Sequence, residues 1–474
     1  MSSKGAHVAI LSFIVLLSAT GFVFSESLPA VNDGQEKYLT SPLSSGSQSD
    51  SDYEFYNGII LKYIGTEEDV IIPYSIGGTV VTQIEREAFR GTNVKSVTVP
   101  DNVTRIQSHA FSDCVYLESI TLPETIGNIG HYLFYNCSSL KSITIPGSVK
   151  TIGIAAFSGC VSLESVTIPD NVTEMETEVF LRCASLKSVI IGNGLVTFGD
   201  GVFRECSSLD SVTFGDNLET IGNTAFQNCT SLKSITIPDS VRQINNNAFS
   251  GCTSLTTISL GKGLESLGPS VFSFCTSLRF ITLPDGLQSI GQYAFSNSSL
   301  ESIIIPDTVA SIDGYTFLNC KSLEEVRIGN GITSVVEGMF HGCSSLREIH
   351  IPQSVTFIGN SAFRSCTALE QIAIPDSVIS IGSYVFYECA SLKTVVLGNG
   401  LEAMDEYAFS RCKSLKSIDI PKNVTSIGNG AFTGCSSLES FVIPEGIKTI
   451  NTSLFRDCSS LESVTLPDSV TGIL

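Results

Sequence analysis

The stretch from Ser138 to Cys160, SSLKSITIPGSVKTIGIAAFSGC, carries the pattern on which most of this chain is built. Its constant positions read L-x-x-I-x-I-P-x-x-V-x-x-I-G-x-x-A-F-x-x-C. The phenylalanine of the pattern recurs at 17 positions from Phe89 to Phe455, and successive ones are 23 residues apart except for two steps of 22. A constant period of this length predicts a solenoid, in which each coil contacts only its neighbours.

Within one coil, the apolar residues Leu140, Ile143 and Ile145 are separated by polar ones, which is the spacing of a β-strand. Pro146 ends the strand because it has no N–H to donate to a ladder. The G-x-x-A-F-x-x-C segment predicts a short helical or 3-10 turn on the opposite side of the coil. In five coils glycine stands in place of the proline, which suggests a looser turn, namely at Gly192, Gly215, Gly261, Gly329 and Gly398.

These residues resemble a known family. L-x-x-I-x-I resembles the strand signature of leucine-rich repeats, and the 23-residue form ending in I-G-x-x-A-F-x-x-C resembles the BspA-like class. The resemblance covers residues 53–474 and implies a leucine-rich-repeat solenoid of the α/β type dominated by β-structure. It implies a parallel β-sheet on one face and short helical or 3-10 turns on the other. It also implies a secreted or surface-displayed interaction protein, several relatives adhering to host or matrix proteins, and it brings no catalytic motif.

The chain divides into four predicted segments. The apolar run Val8 to Phe24 predicts a signal peptide, and an uncleaved signal anchor is the alternative. Serine-rich sequence then predicts a disordered linker, and a hairpin signal at Asn57-Gly58 opens an N-terminal cap. We therefore expect a secreted or cell-surface protein with no membrane span beyond the signal segment. The segments are 1–25 (signal peptide), 26–52 (linker), 53–88 (cap with a degenerate first repeat) and 89–474 (tandem repeats, cut off in mid-repeat).

Composition and motifs argue against several functions. The chain has 27 basic and 47 acidic residues, a balance that disfavours nucleic acid as a partner. It contains no phosphate-binding loop, dinucleotide-binding glycine motif or zinc-binding cysteine pair. We therefore expect no enzyme activity, no cofactor and no bound metal.

All 15 cysteines occupy one position of the repeat, three residues after the phenylalanine. In a secreted protein cysteines first suggest disulfides, but here the column is unbroken and no thiol has a designated partner. Cysteine packs well as a small buried hydrophobe. The column therefore predicts buried free thiols, with a few disulfides between neighbouring coils as the alternative.

Three outward positions of each strand vary between coils, and we call them the first, second and third columns (Lys141, Ser142 and Thr144 in the coil quoted above). The first column alternates in charge, which predicts ion pairs between adjacent strands. The second and third are mostly Ser and Thr, except in the C-terminal half. We expect a partner-binding site where this rule is broken, at Phe280, Glu325, Arg327, Glu348, His350 and Gln371.

The resulting expectation is a non-catalytic interaction or adhesion module that binds a protein, an extracellular-matrix component or a cell-surface ligand. Two alternatives remain at this point: a structural spacer or ectodomain fragment of a larger receptor, and binding to ice or another ordered surface by the Ser/Thr grid. Seven N-x-S/T sequences would accept N-linked glycans in a eukaryotic secretory pathway, although N-V-T also serves as a turn of the repeat. They lie at Asn102, Asn136, Asn171, Asn228, Asn297, Asn423 and Asn451.

Overall fold

The computed structural model describes residues 49–474, so the predicted signal peptide and most of the predicted linker lie outside the described residues. The repeats form a β-solenoid in which each coil stacks on the preceding one through parallel backbone pairing. The predicted leucine-rich-repeat solenoid with a parallel sheet on one face is thereby confirmed. The segment Ser165–Ile168 shows why: Val166 and Ile168 are buried, and the two residues that alternate with them face solvent.

Two stacks of parallel strands run along the solenoid. The first stack, which we call the strand face, contains the L-x-x-I-x-I segments: Asp69–Ile71, Ser96–Thr98, Ser119–Thr121, Ser165–Ile168, Ser188–Ile191, Ser211–Thr213, Ser234–Thr236, Thr257–Ser259, Ser302–Ile304, Glu325–Arg327, Gln371–Ala373, Thr394–Val396, Ser440–Val442 and Ser463–Thr465. The second stack contains two-residue strands: Gln83–Ile84, Arg105–Ile106, Asn128–Ile129, Thr151–Ile152, Glu174–Met175, Thr220–Ile221, Gln243–Ile244, Ser266–Leu267, Ser289–Ile290, Ser311–Ile312, Ser334–Val335, Phe357–Ile358, Ser380–Ile381, Ala403–Met404, Ser426–Ile427, Thr449–Ile450 and Gly472–Ile473.

The segment around each phenylalanine is not the helical or 3-10 turn that the sequence predicts. It is a series of tight turns. Successive backbone N–H groups donate alternately to a carbonyl of the same coil and to a carbonyl of the next coil. In the coil quoted above, the Ser158 N–H donates to the Ala155 carbonyl (3.1 Å), whereas the Phe157 N–H donates to the Val179 carbonyl of the next coil (2.9 Å). The residues two before and two after the phenylalanine adopt left-handed backbone angles, as at Ala155 (φ 50°) and Gly159 (φ 78°). The turn side therefore has its own ladder of hydrogen bonds between coils.

The phenylalanines form one column through the core. Consecutive rings stack with centroids 4.9 Å apart at the closest pair (Phe89 and Phe111) and 6.2 Å apart at the widest (Phe432 and Phe455). All of them are fully buried except Phe455, which is partly buried. Each ring thus fills the space between two others, so the column requires the same side chain in every coil.

The cysteines line the same core beside the phenylalanines. All are free thiols; fourteen are buried and Cys458 is half-buried, as the sequence predicts. Each thiol lies within hydrogen-bonding distance of the carbonyl of the preceding coil's phenylalanine, as for Cys160 and Phe134 (3.2 Å). In the two coils without cysteine a hydroxyl takes the same position, and Thr92 and Ser298 contact the next cysteine at 3.5 and 3.4 Å. The position thus requires a small side chain with a hydrogen-bond donor.

The N-terminal cap begins with the predicted hairpin. Strands Tyr53–Tyr56 and Ile59–Tyr63 pair in antiparallel fashion across Asn57 and Gly58, which have the positive φ values (48° and 84°) of a tight hairpin turn. The Tyr63 ring stacks on Phe89, with centroids 5.0 Å apart, and covers the end of the phenylalanine column. A second small hairpin joins strands Ser75–Ile76 and Thr79–Val80.

The last part of the predicted linker is structured. Asp50–Asp52 forms a 3-10 helix with a capping box from Ser49, and it is held against the cap because the Ile64 N–H donates to the Asp52 carbonyl (2.8 Å). Residues 49–52, at the end of the predicted linker, thus have a defined conformation in the structure. The serine and aspartate content of this segment predicts a linker. In the structure, Ser49 and Asp52 cap the 3-10 helix.

At the five glycines that replace proline, the turn packs tightly against the backbone of the preceding coil. It is not the looser turn that the sequence suggests. A β-carbon on Gly192 would lie 2.6 Å from the Asp170 nitrogen of the preceding coil, which is closer than such atoms approach in proteins. Glycine is needed because two backbone turns lie in direct contact.

We expect Gly192→Ala to destabilise the solenoid by about 1–3 kcal/mol, because the backbone of the preceding coil must move to accept the methyl group. Gly127→Ala is the matched control, since a β-carbon there meets no atom within 4 Å and φ is not positive. Urea denaturation followed by circular dichroism would measure both variants. Equal midpoints would contradict this account of the glycine turns.

Candidate interaction surface on the strand face

The first column of the strand face contains ion pairs between neighbouring coils, as the alternating charges predict. Lys141 pairs with Glu118 (2.5 Å), and Lys187 pairs with Glu164 (3.2 Å). These side chains are exposed, and such pairs typically contribute a few tenths of a kcal/mol each. The column therefore fixes strand register and solubility more than stability. Other pairs across coils are Lys95–Glu68, Arg279–Glu301, Lys393–Glu370 and Lys416–Glu439.

In the C-terminal half, the side chains that break the Ser/Thr rule lie next to one another. Arg327, His350 and Ala373 are direct backbone partners in three successive coils, so their side chains follow one another along the third column. Beside them in the second column, the Gln371 side-chain amide donates to the Glu348 carboxylate (2.9 Å). The parallel register brings together residues that are 23 positions apart in the sequence.

Five of the six predicted site residues line one shallow depression with Ala373 and Val396. The sixth, Phe280, lines an adjacent depression with Ile304, and Arg327 borders both. We call this region the C-terminal patch, and its predicted members are Phe280, Glu325, Arg327, Glu348, His350 and Gln371.

The C-terminal patch combines exposed apolar groups with two basic side chains that have no partner among the described residues. Phe280 and Ile304 are each 59% exposed, and Val396 is 57% exposed. Among residues 49–474, neither Arg327 nor His350 makes a side-chain hydrogen bond or ion pair. Aromatic and arginine side chains of this kind are the ones most enriched in protein interfaces.

The sequence interpretation missed the apolar members of the patch. Ile304, Ala373 and Val396 occupy the third column, where most other coils have Thr, so the signal was present in the repeat alignment. Isolated aliphatic residues are common on protein surfaces and need no explanation alone. Only the stacking of the coils shows that these three lie beside Arg327 and His350.

The predicted glycosylation sites differ in accessibility. In Asn171 and Asn423 the side-chain amide donates to a carbonyl of the preceding coil, at 2.6 and 2.7 Å. The side-chain amide of Asn102 also donates to backbone carbonyls, those of Tyr74 and Val81. Such bonds give these asparagines a structural role in the turns. Asn136, Asn171, Asn228 and Asn423 are exposed, whereas Asn102, Asn297 and Asn451 are half-buried.

The described part of the chain offers no group of three or more His, Cys, Asp or Glu side chains that could hold a metal ion. Between residues 49 and 474 the structure likewise has no helix with the length and apolarity needed to cross a membrane.

The repeats match the family model described as BspA type leucine rich repeat region (6 copies), in four overlapping stretches: 82–210, 174–290, 243–370 and 356–474. Among curated proteins there is no significant match.

Two solved structures illustrate the likeness. A leucine-rich repeat protein from Bacteroides ovatus is 29% identical, with a TM-score of 0.62, over 89% of this chain and 97% of that protein. A leucine rich cell surface protein from Faecalibacterium prausnitzii is 32% identical, with a TM-score of 0.45, over 75% of this chain and 96% of that one. With the column of stacked phenylalanines and the paired strand face, the match to the family model over residues 82–474 shows that the chain belongs to the BspA-type leucine-rich-repeat family.

Proposed function

We propose that this protein is a non-catalytic interaction module, secreted or displayed at the cell surface, which binds a protein partner through the C-terminal patch. The observation that carries the proposal is the placement of exposed Phe280 and Ile304 beside Arg327, which has no partner among residues 49–474. The second and third columns of the strand face are elsewhere mostly Ser and Thr. Solenoid proteins build binding surfaces by varying outward-facing residues in one region while the buried residues of the repeat stay constant. The apolar N-terminal run supports export.

The constant frame leaves little room for catalysis. The side chains that repeat along the solenoid are buried apolar groups and, in most coils, a thiol; burial raises the pKa of the Cys160 thiol to about 12. A protonated, buried thiol is a poor nucleophile. The surface that remains is suited to recognition, with the matrix or cell-surface proteins expected from the family resemblance as the partner class.

A panel of purified extracellular-matrix and cell-surface proteins, tested by surface plasmon resonance, would examine this function. We expect at least one to bind, and we expect the triple variant Arg327→Thr/Glu348→Ser/His350→Thr to weaken that binding about tenfold or more. The variant restores the Ser and Thr typical of other coils, so the fold should be retained.

The matched control is Lys141→Ser/Glu164→Ser/Lys187→Ser, which removes two basic and one acidic side chain from the same face outside the patch. Its binding should equal that of the unmodified protein. Full binding by the patch variant, or no binding to any member of the panel, would contradict the proposal and favour a spacer role.

A further inference from the structure

The third column defines what kind of segment the C-terminal patch fits, and this inference rests on the proposed function. Ile304, Arg327, His350 and Ala373 belong to four successive coils and follow one another along the column. Parallel strands lie about 4.8 Å apart. The column therefore presents, in order, the apolar side chain of Ile304, the basic side chains of Arg327 and His350, and the small side chain of Ala373, which leaves space above it.

An extended peptide lying along this column would match its spacing. Alternate side chains of an extended chain lie on one face about 6.7 Å apart. The midpoint between Arg327 and His350 is one and a half strand spacings from Ile304, or about 7.2 Å, and Ala373 is three spacings away, or about 14 Å. Side chains i, i+2 and i+4 of the peptide would thus reach Ile304, the basic pair and Ala373 in turn.

We propose that the C-terminal patch binds an extended segment of a partner protein with the pattern apolar-x-acidic-x-apolar, running across the strands along the third column. The first apolar side chain packs on Ile304 and Phe280. The acidic side chain lies between Arg327 and His350. The second apolar side chain occupies the space over Ala373, next to Val396.

The charges favour an acidic centre over a basic one. Arg327 has no carboxylate partner within residues 49–474, so a bound carboxylate would not have to displace one, and a guanidinium can bind it through two hydrogen bonds. The neighbouring Glu348 carboxylate already accepts a hydrogen bond from Gln371. A basic side chain would have to replace that contact while lying beside Arg327.

A second copy of the chain fits this surface less well. Its net charge of −20 makes two copies repel each other at a distance. A short extended segment carries little charge of its own and needs only the coils between Phe280 and Val396.

Fluorescence anisotropy with a labelled peptide, Ser-Thr-Leu-Thr-Glu-Thr-Leu-Thr-Ser, tests the pattern directly. We expect saturable binding to the full chain. Replacing the central Glu with Gln should weaken it about tenfold or more, because the charge-assisted contact is lost. Inserting one Thr between Glu and the second Leu should weaken it as well, because that leucine then points to the opposite face of the extended peptide.

On the protein side, Arg327→Thr should reproduce the loss seen with the Gln peptide, and combining the two changes should cost little more than either alone. Ile190→Thr is the matched control: Ile190 is another exposed aliphatic side chain of the third column, outside the patch, and its variant should bind as the unmodified chain does.

No saturable binding, binding that ignores the Glu-to-Gln change, or unchanged affinity in Arg327→Thr would overturn the peptide pattern. A concentration-dependent dimer abolished by Arg327→Thr would overturn it in favour of self-association. The proposed function fails separately: if the peptide does not bind but the panel still identifies a partner sensitive to the patch variant, the interaction role stands and only this pattern is wrong.

Discussion

Replacing Phe272 with alanine is expected to destabilise the solenoid by about 3–5 kcal/mol, the usual cost of deleting a buried aromatic ring. The Phe272 ring is fully buried and stacks between Phe249 and Phe295, with centroid distances of 5.6 Å on both sides. Its removal leaves a cavity that two coils border. The backbone around it cannot close in easily, because hydrogen bonds to both neighbouring coils hold each turn in place.

The same coil supplies a matched control. Phe274 lies two residues away and is 53% exposed, so Phe274→Ala should change stability by only about 0.5 kcal/mol or less. Urea denaturation followed by far-ultraviolet circular dichroism would compare the two. The stability of a repeat protein depends on the interfaces between neighbouring coils. Because Phe272→Ala weakens two of these interfaces, the coils N-terminal and C-terminal to it should unfold in separate steps of the urea transition. Equal midpoints for the two variants would show that the phenylalanine column does not support the core.

The second large effect concerns the thiols. In the native protein we expect at most one of the 15 cysteines, the half-buried Cys458, to react with Ellman's reagent within minutes. In guanidinium chloride without reductant, all 15 should react, since every thiol is free. A clearly lower number in denaturant would reveal disulfides between neighbouring coils. Rapid reaction of several thiols in the native protein would contradict their burial.

The same burial predicts a loss of stability at alkaline pH. Desolvation raises the pKa of Cys160 to about 12 from an ordinary value of 9.0. Below pH 9 the thiol is protonated in both states, so its contribution to stability is fully present. Above pH 9 only the unfolded chain ionises, so stability falls until pH reaches the folded-state pKa, by about 1.4 kcal/mol per pH unit for each such thiol. Because many thiols share this environment, the urea midpoint should fall steeply between pH 9 and 11 and remain nearly constant between pH 7 and 8.

The turn side shows where sequence reasoning fails in this fold. Left-handed backbone angles occur at Tyr132, Glu178 and Arg182 as well as at Gly159. In a sequence, only glycine and asparagine predict such angles, because other residues rarely adopt them. The coil accepts other residues there because the N–H groups of these residues bond to the next coil, as from Glu178 to Asp200 (2.8 Å). This hydrogen bond between coils offsets the cost of about 1 kcal/mol for a left-handed backbone angle at a residue other than glycine. An isolated coil would have no such compensation.

The amino-acid sequence by itself determined the repeat, the buried positions, the columns of Phe and Cys and the charge pairing on the strand face. These follow from periodicity, because a side chain that recurs every 23 residues must meet its own copies in the neighbouring coils. Only the tertiary structure decided the conformation of the turn side and the close packing at Gly192. It also decided that Phe280, Ile304 and Ala373 lie next to the basic side chains of Arg327 and His350. These depend on contacts between coils, where a residue's surroundings come from chain segments more than 20 positions away.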